Sequence, residues 1–146
     1  MLTLFFIGIL CWVVITDIYT QRIPDSAILA AIGFRFFVFL FLEGLSWKGL
    51  GWLIVNGLAV SLPLLFIVSL TEKFFHRCFM GGGDIKLLFV TGMYLGWEKN
   101  LWTLFIACLI GCVVGLIISR QKKEAMVYFP FGPFIAIGAI VSMHFF

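Results

Sequence analysis

Six apolar runs separated by short polar punctuation organise this chain, at about residues 2–17, 26–42, 51–70, 85–97, 100–118 and 130–146. Their lengths suit helices crossing a hydrocarbon core ~30 Å thick, although some are short for a full crossing. The pattern predicts an all-α, polytopic membrane protein of about six transmembrane helices. It leaves no room for a soluble domain, so residues 1–146 are expected to form a single transmembrane domain.

Composition strengthens this picture. With 63% hydrophobic and 12% charged residues, and a mean hydropathy of +1.17, the balance lies outside the range of soluble globular domains. The first run lacks a basic flank and leads into Asp17 instead of a small-residue cleavage site. It is therefore expected to remain as a span and not to be removed as a signal peptide.

Charge gives the orientation. Basic residues stay on the cytoplasmic side during insertion. The loops after spans one, three and five, with their borders, hold Arg22, Lys73, Arg77, Lys86, Arg120, Lys122 and Lys123, seven of the ten Lys and Arg residues. Only Lys48 and Lys99 fall on the other side, and Arg35 lies within span two. This predicts an amino terminus outside and a multi-pass protein of the cytoplasmic (inner) membrane. All three aspartates, Asp17, Asp25 and Asp84, then lie on the cytoplasmic side.

Two stretches concentrate candidate chemistry there. In FMGGGDIKLLF, residues 79–89, three glycines precede Asp84 and Lys86. The glycines permit unusual backbone conformations and close approach of another chain, and a helix starting at Asp84 would place its carboxylate at the favourable end of the dipole. From Asp84 to Trp97 such a helix is roughly 21 Å long, short of a full crossing. In ITDIYTQRIPD, residues 15–25, Pro24 turns the chain and Asp25 is placed to cap span two. Asp17 has no comparable local duty. It closes span one, where the helix dipole disfavours negative charge.

Cysteines 11, 78, 108 and 112 and histidines 76 and 144 form neither a disulfide framework nor a metal-ligand set, so no metal site is expected.

Together these stretches resemble the prepilin leader peptidases, membrane aspartyl proteases with the hallmark Gly-x-Gly-Asp followed by x-Lys. Here that is Gly81-Gly82-Gly83-Asp84-Ile85-Lys86. Asp17 ahead of Ile23-Pro24-Asp25 resembles the family's aspartate before an Ile/Leu-Pro-Asn/Asp turn, and FPFGPFIAIGA, residues 129–139, resembles its Pro-Phe-Gly-Pro segment before the last span. The resemblance implies that Asp17 and Asp84 are the catalytic pair, acting without a cofactor on prepilins or pseudopilins at the cytoplasmic membrane face. Gly81, Gly83, Lys86, Pro24 and Asp25 are expected to shape the site. Long members also carry paired Cys-x-x-Cys motifs and a methyltransferase activity; these 146 residues contain no such motif, so that activity is not carried over. The short form resembles the peptidases of tight-adherence pili and preflagellins.

Other polar residues invite structural readings. Lys86 is expected to reach lipid headgroups. Residues 71–80 could form an interfacial helix or an ordinary basic loop. Arg35 needs a partner, either Glu43 on its own helix or a group from another span. Asn56 is expected to hydrogen-bond a neighbouring helix, and the stripe Ala107, Gly111, Gly115 and Ser119 to pack internally or to support a homodimer. The lipid bilayer is an expected partner and nucleic acid is not. A competing function is a non-enzymatic membrane subunit or small transporter in which Asp17, Asp84 and Lys86 form a structural cluster. A presenilin-type protease would require Tyr-Asp and Pro-Ala-Leu motifs, which are absent.

Overall fold

The computed structural model describes residues 2–44, 46–75, 80–122 and 130–145. Among these residues all regular structure is helical, as the apolar pattern predicts: α1 (Leu2–Thr20), α2 (Asp25–Val38, continuing through a π-helical turn at Phe39–Glu43), α3 (Trp47–Phe75), α4 (Gly82–Leu95), α5 (Trp97–Lys122) and α6 (Gly132–Phe145). Four segments are long and apolar enough to cross a membrane, Leu2–Thr20, Asp25–Leu42, Trp47–Phe74 and Trp97–Ile118. The other two helices, α4 and α6, have only 14 residues each, roughly 21 Å of rise.

Burial explains how so short a helix as α4 is accommodated. Ile85, Leu87, Leu88, Val90, Thr91, Gly92 and Met93 are all buried, and α2, α3, α5 and α6 pack around them. A helix enclosed by protein need not span the bilayer alone, because its neighbours can satisfy its terminal backbone groups. Asn100 Nδ2 donates to the Leu88 carbonyl at 2.9 Å, and Thr91 Oγ1 donates to Asn100 Oδ1 at 2.6 Å. Arg35 Nε donates to the Met93 carbonyl at 3.1 Å. The costly arginine thus has a partner from another span, at the end of α4 where the dipole favours a cation. Beside it the Tyr94 hydroxyl donates to the Ala31 carbonyl at 2.7 Å, and its ring stacks on Phe6.

Small residues set the helix spacing, as expected where lipid supplies little hydrophobic drive for helix association. A Cβ on Gly92 would strike the Asn56 carbonyl and lie 2.9 Å from the Gly57 Cα, so α3 and α4 touch backbone to backbone. Asn56 meets α4 through that carbonyl and not through its side chain, contrary to expectation; its Oδ1 is buried with no hydrogen-bond partner among the described residues. Two members of the α5 stripe pack internally against α6 and the turn before it: Ala107 is fully buried and Gly111 lies beneath the Phe131 ring. Phe66, Leu109 and Leu116 are among the large apolar side chains left on the outer surface.

Two boundaries differ from the sequence reading. Residues 71–75 continue α3 and do not begin a separate interfacial helix, while 76–79 lie outside the described residues. The helix of the glycine motif begins at Gly82, so Asp84 occupies its third position and does not start it.

Candidate active site

Four chain segments meet at one end of the bundle: the last turn of α1, the turn into α2, and the first turns of α4 and α6. Asp17 lies in the last turn of α1, which runs three residues further than its apolar stretch and closes where the Gln21 N–H reaches the Asp17 carbonyl at 2.9 Å. The Gln21 backbone is left-handed, with φ of 52°, as at many helix ends. From there Arg22 and Ile23 lead to Pro24, whose φ of −70° suits the entry to α2.

The Ile-Pro-Asp turn and the glycine motif pack directly on each other. A Cβ on Gly83 would lie 3.1 Å from the Ile23 Cβ, so the glycine leaves room for the turn to rest on α4. Asp25 is the first residue of α2 and makes no cap; the N-cap is Pro24, without a side-chain bond. The Asp25 carboxylate instead accepts from Lys86 Nζ at 2.6 Å. This corrects two expectations, a capping Asp25 and a lysine directed to headgroups. The pair is more than half exposed, so its stabilising contribution is small, about 0–1 kcal/mol. It ties two motifs together at the surface and stays out of the buried site.

Asp17 and Asp84, 67 positions apart in the numbering, are both buried, at 4% and 8% exposure. Asp84 lies within reach of the Asp17 charge. The Asp84 carboxyl folds back over the start of its own helix toward the Gly81 backbone, and a Cβ on Gly81 would lie 3.2 Å from Asp84 Oδ2. Asp17 is held from a different direction: the Gly132 N–H, at the start of α6, donates to Asp17 Oδ2 at 2.8 Å. That donor answers the puzzle of an acid at the wrong end of α1, because the positive end of a second helix faces it.

Gly132 was not among the residues expected to form the site. The signal was in the sequence, in the segment FPFGPF, but nothing in its spacing said that it meets a residue 115 positions earlier. An open cleft of about 690 Å³ lies beside the site, lined by Ile32 of α2, Leu62 of α3, and Gly82, Ile85 and Phe89 of α4, with Asp25 and Lys86 also lining it.

The fold and site therefore define a multi-pass helical membrane protein with two buried carboxyls brought together from separate helices. Comparison with known proteins gives the family. Residues 4–116 match the family model described as Type IV leader peptidase family, and the chain belongs to that family. Relatives named prepilin leader peptidase/N-methyltransferase include one from Stutzerimonas stutzeri, 33% identical over 135 residues, covering 87% of this chain and 43% of the relative. One from Burkholderia pseudomallei is 31% identical over 144 residues, with 88% and 41% covered. Another from Pectobacterium carotovorum is 30% identical over 130 residues, with 88% and 46% covered. The chain thus spans less than half the length of these relatives. No solved structure matches it.

Proposed function

We propose that this protein is an aspartyl endopeptidase that removes the leader peptides of prepilin-like or pseudopilin proteins at the cytoplasmic face of the membrane. The observation that carries this reading is the convergence of Asp17 and Asp84 in one buried site. A buried acid without a cation is costly, and a structural cluster would be expected to pair the acids with Lys86, whose partner is Asp25.

The chemistry follows from the pair. Two carboxyls that repel each other across one site hold a single proton between them. The ionised carboxylate takes a proton from a water molecule as its oxygen attacks the scissile carbonyl carbon. The protonated carboxyl donates to the carbonyl oxygen. Collapse of the tetrahedral adduct breaks the C–N bond as the proton taken from water passes to the leaving amine and a hydroxyl proton of the adduct returns to the other carboxylate, restoring the pair. Gly81 presents bare backbone over Asp84, which suits the approach of an extended substrate chain.

The test is direct. The purified chain, reconstituted in liposomes with a prepilin that carries its leader and first apolar segment, is expected to release the leader as one fragment, with a single cut identified by mass spectrometry. Intact prepilin after prolonged incubation with folded protein would reject the peptidase reading and favour a non-enzymatic membrane subunit.

A further inference from the structure

We propose that Gly132 is a positioning residue for Asp17, an inference that rests on the peptidase reading above. It belongs to the Pro-Phe-Gly-Pro segment, beyond residue 116, where the match to the family model ends. In the first turn of α6, backbone N–H groups have no partner within the helix. Pro133 has none to offer, and Phe134 N–H bonds the Phe131 carbonyl at 3.0 Å. Gly132 N–H is directed instead to Asp17 Oδ2 at 2.8 Å, inside a site where Asp17 is 4% exposed. The Gly-Pro step thus leaves one donor for the carboxylate and removes the next.

The absence of a side chain at 132 is equally specific. A Cβ there would lie 2.5 Å from Asp17 Oδ2 and 3.1 Å from Cγ, with Asp17 Cβ at 3.4 Å. Its three nearest neighbours all belong to the Asp17 side chain, so an added methyl would push the carboxylate aside while leaving the backbone in place. Gly138, on the same helix, is different: its Cβ would lie 2.5 Å from the Thr103 carbonyl oxygen, backbone that cannot turn away. Gly132 therefore fixes one oxygen of Asp17.

Gly132→Ala in the full chain is expected to fold and accumulate, with kcat reduced roughly 100-fold, the scale of a misplacement near 1 Å. KM should stay within about threefold, because substrate contacts are retained. Replacing the 132 amide by an ester removes the N–H without adding an atom at Cα, and should lower kcat in the same direction. Gly138→Ala should show the opposite profile, a lowered thermal midpoint with near-normal kcat for the protein that remains folded. Independently of activity, the Gly132 amide proton resonance should move in Asp17→Asn. Wild-type kcat in both the Gly132→Ala and the ester protein, or an amide resonance indifferent to Asp17, would overturn the proposal. Failure of the wild-type chain to cleave any prepilin would instead overturn the peptidase reading, and the resonance would still decide whether Gly132 holds Asp17.

Discussion

Asp17→Asn and Asp84→Asn are each expected to reduce leader removal by roughly a thousandfold or more while the protein still accumulates in the membrane. Asparagine preserves the volume of the side chain and can still accept the Gly132 N–H, so the packing around α1 and α6 should survive. It cannot take a proton from water, and it cannot deliver one as a carboxylic acid does. The two losses should not multiply, since neither acid completes the cycle alone and groups that act as a unit are non-additive. Leader release by the purified variants, assayed beside the wild-type chain, measures both effects. Asp25→Asn is expected to behave differently, because that carboxylate serves an exposed pair with Lys86 and takes no part in the buried site.

The largest structural effect is expected from Gly92→Leu, in the centre of the bundle. A Cβ at that position already meets the Asn56 carbonyl, the Asn100 amide and the Gly57 Cα. Two of these three atoms are backbone, so α3 and α4 would have to separate. That movement would also strain the bond from Asn100 Nδ2 to the Leu88 carbonyl and the Thr91 hydroxyl beside it, leaving buried groups unpaired. Overpacking alone costs about 1–3 kcal/mol. With the disturbed hydrogen bonds, the thermal midpoint in detergent should fall by roughly 10 °C. Gly8→Ala is the matched control, because open space surrounds that position. A normal midpoint for Gly92→Leu would show that the two helices do not meet at this glycine.

Much of this arrangement was legible from residue order alone. The apolar runs locate the helices because a chain in lipid must satisfy its own backbone, and the all-α class follows from that constraint. Asp17 stood out because it is an acid at the unfavourable end of a helix, and Asp84 because it follows three glycines near the start of a short one. What residue order could not supply were the contacts between distant segments. For Arg35 residue order offered Glu43 or a group from another span, and the packing of α2 on α4 supplies one such group, the Met93 carbonyl. Lys86 and Asp25 both carried local readings, a headgroup and a cap, that were overridden when the turn into α2 came to rest on α4. Asn56 showed the reverse: a polar residue expected to bond across helices instead lends its backbone to a close crossing. Gly132 was hidden for the same reason, since the need for glycine there comes from a carboxylate on another helix.

As the proposed catalytic pair, Asp17 and Asp84 are expected to bind together the tetrahedral arrangement through which the scissile carbonyl passes. A peptide spanning a prepilin cleavage site, with the scissile amide replaced by a hydroxyethylene unit, presents a hydroxyl where both carboxyls are required. Its affinity for the purified protein tests the claim without relying on turnover. The expected result is tight, competitive binding to the wild-type chain, with a loss of at least about 100-fold in Asp17→Asn and a comparable loss in Asp84→Asn, the scale on which transition-state analogues exceed substrates. Equal affinity for the wild-type chain and either variant would contradict the account, because the hydroxyl would then be recognised without the pair.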